Sequence, residues 1–211
     1  MFITFEGIEG CGKSTQARLL FESMKNRGAA VLLTREPGGT KIGKEIRQIL
    51  MSTSNSGLCS AAEFLLIEAD RAQHVAEVIR PALDKGILVI CDRFSDATVA
   101  YQGYGRGLDL DLIDKLNRFS SAGIYPNKTF LLDCPVEIGL KRALERNKET
   151  RMQAEGRFEA EDIGFHRKVR EGYLALAQKE PGRFVVMDGT ENREDLARKI
   201  LAIVERLVEQ D

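Results

Sequence analysis

The chain has 211 residues, 43% of them hydrophobic and 30% charged, and its 31 lysines and arginines nearly balance 32 aspartates and glutamates. Nucleic-acid binders and membrane-surface proteins usually carry a basic excess, so this charge balance argues against both classes. Because we find no signal peptide, no C-x-x-C pair and no apolar run near the ~18 residues of a membrane span, we expect a cytoplasmic protein with reduced cysteines.

Short apolar runs alternate with longer helical patterns, which is typical of a parallel sheet with crossover helices. The predicted strands are Phe2–Glu6, Ala30–Thr34, Ile87–Cys91, Lys128–Asp133 and Arg183–Asp188. The predicted helices are roughly Lys13–Arg27, Thr40–Met51, Ser60–Leu83, Leu110–Ser121, Val136–Glu145, Glu159–Lys179 and Arg193–Val208. We therefore predict one α/β domain over residues 1–211, a five-stranded parallel sheet flanked by helices. The charged segment from about 146 to 158 is predicted to be a surface loop, either a lid or a solvated connection.

Residues 7–14 read G-I-E-G-C-G-K-S and fit the pattern G-x-x-x-x-G-K-[ST] at every fixed position. A predicted strand precedes them and an amphipathic helix follows, which favours a phosphate-binding loop over a glycine-rich turn without a ligand. Glycines let backbone N–H groups wrap a polyphosphate, Lys13 can bind its β and γ oxygens, and Ser14 can ligate Mg²⁺. The predicted nucleotide-binding residues are Gly7, Ile8, Glu9, Gly10, Cys11, Gly12, Lys13, Ser14 and Thr15.

Asp92 and Arg93 follow directly on the apolar run Ile87–Cys91, at the carboxyl end of a predicted buried strand. Ligands of open α/β sheets bind at these strand ends. An acid there can hold Mg²⁺ or its water shell, and the adjacent arginine can point at phosphate oxygens. An ordinary salt bridge at the strand end is the alternative for this pair. Further arginines should neutralise the moving phosphoryl group, and the candidates are Arg47, Arg71, Arg93, Arg146, Arg151 and Arg157.

Several sequence blocks resemble those of bacterial thymidylate kinases in composition, order and spacing. They are the phosphate-binding loop with Glu9 inside it, T-R-E-P-G-G-T at 34–40, A-D-R-A-Q-H at 69–74, D-R-F at 92–94 and A-Y-Q-G-Y-G-R at 100–106. The resemblance runs from Phe2 to about Tyr173. It implies a P-loop NTPase fold and a homodimer that transfers the γ-phosphoryl group of ATP to the 5′-phosphate of dTMP, with Mg²⁺ as cofactor.

The resemblance also implies roles for individual side chains. Lys13 would bind ATP phosphates, Arg93 would bridge the donor and acceptor phosphates, and Glu9 would lie near the acceptor sugar and the water shell of the metal. Ser14 and Asp92 would be the metal-binding residues, and Arg142 would lie along the adenine. The implied dTMP-binding residues are Glu36, Pro37, Arg47, Ile67, Arg71, Arg93, Thr98, Tyr101 and Gln102, with Arg47 at the phosphate, Tyr101 beneath the deoxyribose, and Arg71, Thr98 and Gln102 at the base.

The phosphate-binding loop carries no extra arginine, since Ile8 and Cys11 occupy its variable positions. In bacterial relatives of that type, an arginine of the lid supplies the cation at the transferred phosphoryl group. The resemblance therefore implies a catalytic arginine in the predicted lid. Arg157, in the sequence G-R-F-E, is our first choice and Arg151 is the second.

Ile67 departs from the family pattern, which commonly has a phenylalanine stacked on thymine at this position. Ile67 and Arg71 share one helix face, being four residues apart. An aliphatic side chain can cover a base but cannot give a base–aromatic stack, which contributes ~1–3 kcal/mol. Either Phe64 or Phe94 covers the base instead, or dTMP binds more weakly, or Ile67 is simply a core residue.

Two other functional classes are weighed against a kinase. A GTPase switch requires N-K-x-D, and the Asn-Lys pairs at 127–128 and 147–148 are followed by Phe130 and Thr150 at the fourth position, so we reject it. Intact Lys13, Asp92 and Arg93 argue against a non-catalytic nucleotide-binding module. A kinase for another nucleoside monophosphate or for a nucleoside, such as dUMP or thymidine, is the alternative that Ile67 keeps open.

Overall fold

The computed structural model describes residues 1–149 and 156–208. Its sheet consists of β1 (Phe2–Glu6), β2 (Val31–Arg35), β3 (Leu88–Asp92), β4 (Lys128–Asp133) and β5 (Phe184–Asp188). The five strands are all parallel, in the order β2-β3-β1-β4-β5. The predicted α/β fold is therefore confirmed. Each predicted strand lies within one residue of its observed bounds. The apolar runs of β1, β3 and β4 match strands that are buried along most of their length.

The helices of the described residues flank this sheet. They are α1 (Lys13–Asn26), α2 (Lys41–Met51), α3 (Ser60–His74), α4 (Arg80–Asp84), α5 (Ser95–Thr98), α6 (Leu110–Ser120), α7 (Val136–Glu149), α8 (Ile163–Lys179) and α9 (Arg193–Val208). A 3₁₀ turn spans Thr53–Asn55, and π-helical turns span Val75–Ile79 and Val99–Gly105. In the part of the chain that the structure describes, no helix combines the length and the apolar character needed to cross a membrane.

The predicted helix Ser60–Leu83 is interrupted, because the π turn Val75–Ile79 separates α3 from α4. Pro81 lies at the start of α4 and has no N–H to donate to the preceding turn, which accounts for the wider turn there. The sequence pattern did not predict this interruption, since the apolar periodicity continues through it.

The boundaries around the predicted lid also differ from the expectation. Helix α7 extends to Glu149 rather than Glu145, because Arg146, Lys148 and Glu149 favour helix although this stretch carries no apolar stripe. Helix α8 begins at Ile163 rather than Glu159, since the Asp162 side chain caps it by accepting a 2.9 Å hydrogen bond from the Phe165 amide. Residues 150–155, which include Arg151, lie outside the described residues.

The carboxyl ends of the three strands β1, β2 and β3 meet at one edge of the sheet. Asp92 at the end of β3 pairs in register with Phe5 of β1 and with Arg35 of β2. This edge is where ligands of open parallel sheets bind. The short helix α5 and the π turn after it run directly from β3, so they bring further side chains to the same edge.

Candidate active site

A cavity of about 510 Å³ opens at this edge of the sheet. Its wall is formed in part by the phosphate-binding loop, the loop between β2 and α2, and the helices α3, α5 and α7. Of the predicted site residues that the structure describes, all but Gly7, Ile8, Cys11 and Arg157 line it. The cavity is also lined by Arg35, Met51, Asp70, Phe158 and Glu159, for which no individual role was predicted, and by Phe94, which was predicted only as an alternative cover for the base.

The phosphate-binding loop has the conformation that its glycines allow. Gly7, Gly10 and Gly12 have φ values of 137°, 68° and 101°, a region that side chains other than glycine rarely adopt. A Cβ on Gly10 would lie 2.0 Å from the carbonyl oxygen of Gly139, so the close approach of α7 also requires glycine. Ile8 and Cys11 form the buried underside of the loop, which explains why they do not line the cavity.

Lys13, Ser14 and Asp92 lie together where the loop enters α1. The buried Lys13 ammonium donates a 2.7 Å hydrogen bond to the carbonyl of Ile8. Ser14 donates its hydroxyl to Asp92 Oδ2, while Asp92 Oδ1 is buried without a hydrogen-bond partner. A buried carboxylate oxygen normally has a hydrogen-bond partner. The unpartnered Asp92 Oδ1 and the hydroxyl oxygen of Ser14 together therefore fit a hard cation such as Mg²⁺. Within the described residues no three His, Cys, Asp or Glu side chains form a metal cluster.

Arg93 is held in place by its surroundings. It has a φ of 72°, which is uncommon for a residue other than glycine, and turns its side chain into the cavity. Its guanidinium donates to the hydroxyls of Tyr173 (3.0 Å) and Tyr101 (2.9 Å) and to Glu9 Oε1 (3.1 Å). It also lies 4.7 Å from the centre of the Tyr101 ring. The cation is thus positioned in advance of any ligand.

Glu9 lies between this arginine and a histidine that the sequence did not single out for the site. Its Oε1 accepts from Arg93 and from the Tyr101 hydroxyl. Its Oε2 lies 3.3 Å from Nδ1 of the fully buried His166. Burial alone would raise the pKa of Glu9, but His166, Arg93 and Lys13 outweigh it and hold that pKa well below its usual range. Glu9 is therefore ionised.

A second acid, Glu6, lies beneath the site and takes no part in the wall of the cavity. It is fully buried and accepts hydrogen bonds from the Phe94 amide (2.7 Å) and the Tyr173 hydroxyl (2.8 Å). Burial, reinforced by the charge of Asp96, raises the pKa of Glu6 to about 8. Glu6 therefore holds the Phe94 amide in the turn after β3. It also holds the hydroxyl of Tyr173, to which Arg93 donates.

The loop between β2 and α2, which carries the predicted dTMP-binding residues Glu36 and Pro37, connects to α3 through Glu36. Glu36 precedes a cis peptide bond to Pro37, and its carboxylate accepts a 2.9 Å hydrogen bond from Arg71 Nε. The other carboxylate oxygen lies 2.9 Å from Nδ1 of His74. Arg47 in turn donates to the carbonyl of Pro37 at 3.3 Å. Glu36 thus links the loop to the arginine that is predicted to bind the base.

Arg71 is almost fully buried although it lines the cavity. Its Nη1 donates to Glu68 (2.8 Å) and Asn117 (2.6 Å), and its Nη2 donates to Thr98 (2.9 Å). With the bond to Glu36, these contacts use four of the five N–H groups of a guanidinium. One N–H of Nη2 is left for a ligand.

Ile67 lines the cavity and is half-buried, so it is not simply a core residue. Phe64 is buried and does not line the cavity. The Phe94 ring does line it, but that ring faces the Arg71 guanidinium at 5.2 Å and packs edge-on against Phe2 at 5.0 Å. The wall beside Arg71 is therefore aliphatic at position 67.

The arginines near the predicted lid occupy different environments. Arg157 is buried and donates to the carbonyl of Leu50 (2.5 Å) and to Glu63 (2.7 Å), away from the cavity. Arg146 lines the cavity and lies 3.3 Å from Glu159. Arg142, predicted to lie along the adenine, also lines the cavity and donates to the carbonyl of Gly189 at 2.9 Å.

Known proteins share both the sequence and the fold. A sequence model of the family described as thymidylate kinase matches residues 5–200. The chain belongs to the thymidylate kinase family. The thymidylate kinases of Trichlorobacter lovleyi and Geotalea daltonii are 54% and 59% identical to it, over 98% and 90% of both chains respectively. The crystal structure of the thymidylate kinase from Ehrlichia chaffeensis matches with a TM-score of 0.79 and 35% identity, over 97% of this chain and 98% of that one. The family membership that the sequence blocks predicted is thus confirmed.

Proposed function

We propose that this protein is a dTMP kinase, which transfers the γ-phosphoryl group of ATP to the 5′-phosphate of dTMP and releases ADP and dTDP. Membership of the thymidylate kinase family supports this activity and ATP as the donor. The observation that carries the proposal is that donor and acceptor residues line one cavity. The alternative acceptors, dUMP and thymidine, are not favoured, since the matched relatives are thymidylate kinases.

The donor half of the cavity is proposed to bind the ATP phosphates. Backbone amides of the phosphate-binding loop and the ammonium of Lys13 would bind the β and γ oxygens. Ser14 and Asp92 would hold Mg²⁺, a proposal that the unpaired Asp92 Oδ1 supports. When bound, Mg²⁺ would neutralise charge on the β and γ oxygens. Arg142 would lie along the adenine.

The acceptor half is proposed to bind dTMP and to align it with the γ-phosphorus. An oxygen of the 5′-phosphate forms the new bond to that phosphorus, and the bond to the bridging oxygen of ADP breaks. This oxygen is already anionic near neutral pH, so the reaction needs no strong general base. Arg93 would bridge the two phosphates, Arg47 would bind the acceptor phosphate, and Tyr101 would pack beneath the deoxyribose.

The base is proposed to lie against Arg71, Thr98, Gln102 and Ile67. The free N–H of Arg71 would donate to a thymine carbonyl, because its other donors are already engaged. Glu36 and Pro37 would close this side of the cavity. Glu9, between Arg93 and His166, would lie near the acceptor sugar and the water shell of the metal.

A lid arginine is proposed to stabilise the transferred phosphoryl group. Arg146 already lines the cavity, whereas Arg157 reaches it only if it leaves Glu63. Arg151 belongs to the segment outside the described residues.

We also propose that the enzyme is a cytoplasmic homodimer. Exposed apolar side chains on the adjacent helices α3 and α6 support a second copy of the chain as the partner, namely Leu65 (58% exposed), Leu112 (48%) and Phe119 (81%). The four free cysteines fit a reducing compartment. Light scattering of the purified chain should give the mass of two copies, and the mass of one copy would contradict the dimer.

The activity is tested by an ATP-coupled assay with dTMP, dUMP, UMP, CMP, AMP, GMP and thymidine as acceptors. We expect the highest kcat/KM for dTMP. Preference for any other acceptor, or absence of ATP-dependent turnover in a folded protein, would overturn the proposal.

A further inference from the structure

Glu63 lies in the first turn of α3, fully buried and behind the wall of the cavity. Its carboxylate accepts hydrogen bonds from Gln102 Nε2 (2.8 Å), from Nε and Nη2 of Arg106 (3.1 and 3.0 Å) and from Arg157 Nη2 (2.7 Å). We call these four residues the Glu63 cluster. Four bonds saturate the lone pairs of a carboxylate. None of the sequence blocks singled out Glu63.

The charge of Glu63 is maintained by these donors. Burial works to raise its pKa, but the hydrogen bonds from Arg106, Gln102 and Arg157 and the positive charge of Arg106 outweigh burial and lower the pKa below its usual value. Glu63 is therefore an acceptor and never a donor at neutral pH.

An obligate acceptor fixes the orientation of the Gln102 side chain. Only the amide nitrogen of Gln102 can face the carboxylate, because a flipped amide would bring its carbonyl oxygen against a negative charge. Gln102 is 1% exposed and lines the cavity. Its Oε1 is thus the atom offered to a ligand there.

The base wall then presents a defined pattern of one donor and one acceptor. The donor is the remaining N–H of Arg71, whose neighbouring N–H on Nη2 binds Thr98. The acceptor is Oε1 of Gln102, one helical turn after Thr98. Thymine has a carbonyl oxygen next to the N3–H donor and complements this pattern. Cytosine has an amino group next to an N3 that lacks hydrogen, so it faces like groups at both positions.

We propose that Glu63 is a positioning residue for base specificity, which holds Gln102 so that its Oε1 accepts the N3–H of the pyrimidine. This inference rests on the proposed dTMP kinase activity, and it extends that activity to a residue that does not touch the substrate. A site whose polar groups are left unpaired by the wrong base discriminates strongly against it.

The test is steady-state kinetics of the wild type and Glu63→Gln with dTMP, dUMP and dCMP. The neutral amide at position 63 can donate as well as accept, so it lets the Gln102 amide rotate. We expect the dTMP/dCMP ratio of kcat/KM to fall by about tenfold or more, mainly through a higher KM for dTMP. The dTMP/dUMP ratio should stay the same, because both bases carry N3–H.

Glu161→Gln is the matched control. Glu161 pairs with Arg106 at 2.7 Å on the far side of the Glu63 cluster, so this variant makes the same isosteric change next to the same arginine. It should leave the dTMP/dCMP ratio within about twofold of the wild type, as expected for a charge away from the base. An equal loss in both variants would overturn the proposal, as would an unchanged ratio in folded Glu63→Gln.

Gln102→Met keeps the test decisive if Glu63→Gln does not fold. This variant removes the acceptor atom Oε1 and leaves Arg106 and Arg157 bonded to Glu63. Its dTMP/dCMP ratio of kcat/KM should therefore fall as in Glu63→Gln. In the double variant, the effect of Glu63→Gln on the ratio should vanish, because its route through Gln102 is gone. A normal ratio in Gln102→Met contradicts the inference. A folded wild type without dTMP kinase activity instead refutes the proposed function itself, and the inference with it.

Discussion

The guanidinium of Arg157 lies 2.7 Å from the buried carboxylate of Glu63, away from the cavity. This pairing gives Arg157→Ala a distinct expected outcome. It should destabilise the fold by roughly 3 kcal/mol or more, because removing one partner leaves a buried charge less compensated. Its kcat should change less than that of Arg146→Ala, which we expect to fall at least about 100-fold. Denaturant unfolding and single-turnover kinetics measure the two effects separately.

A large loss of kcat in Arg157→Ala with unchanged stability would be the opposite result. It would show that Arg157 leaves Glu63 during turnover. If the alanine variants at 146, 151 and 157 all keep full kcat, no lid arginine acts on the phosphoryl group.

Lys13→Ala should lower kcat by about 100-fold or more while the fold survives, since its ammonium is the cation over the phosphate-binding loop. Initial rates at saturating ATP and dTMP measure this effect, and circular dichroism checks the fold. Lys25→Ala, at an exposed position on the same helix, is the control and should keep normal rates. Near-normal turnover in Lys13→Ala would refute the role assigned to this lysine.

Ile67→Phe should lower the KM for dTMP if the aliphatic wall at position 67 limits binding of the base. The other nearby phenylalanines do not offer a free face, since Phe64 is outside the cavity wall and Phe94 faces Arg71. A gained stack contributes ~1–3 kcal/mol, or about fivefold or more in KM. Leu66→Phe, on a neighbouring position of α3 outside the cavity wall, is the control. An unchanged or raised KM in Ile67→Phe counts against this account.

Asp70 should make the stability of the protein fall as pH rises. Burial, with the charge of Glu36, raises the pKa of Asp70 from 3.8 to about 6. The folded state therefore binds the proton more tightly than the unfolded chain does. This contribution is complete below about pH 4 and is lost as pH rises through 6. In Asp70→Asn this pH-dependent contribution is absent, while the side-chain oxygen at position 70 can still accept the hydrogen bond from the Gly38 amide.

The free energy of unfolding of the wild type relative to Asp70→Asn should thus decrease by about 2–3 kcal/mol between pH 4 and pH 7. Urea unfolding at several pH values measures the difference, and Asp84→Asn at an exposed position is the control. If the free energy of unfolding changes equally with pH in the wild type and in Asp70→Asn, the expected protonation of Asp70 is contradicted.

The sequence predicted the sheet and the phosphate-binding loop well because both depend on local patterns. Continuous apolar runs mark buried strands, and the loop requires glycines at fixed positions. The π turn Val99–Gly105 could not be predicted in this way, since its wide geometry depends on packing against α8 rather than on periodicity. Its side chains were found only through the resemblance of the block at 100–106.

The supporting residues of the site escaped prediction for a related reason. Glu63, Asp70 and His166 are buried polar groups whose partners are distant in sequence. No spacing rule brings His166 to Glu9, because the contact depends on how α8 packs over the phosphate-binding loop. Pattern reasoning thus found residues that face the cavity and missed several of the residues that hold them.

The π turn has a consequence for how this chain tolerates length changes. A π-helical turn contains one residue more than an α-helical turn would at the same place. Deleting one residue between 99 and 105 would let the helix become regular without breaking it. The fold could absorb that deletion because the residues on either side of the turn would keep their register, but the side chains within the turn would be rearranged. Tyr101 and Gln102 lie within the turn, so a deletion tolerated by the fold would displace two side chains of the acceptor site.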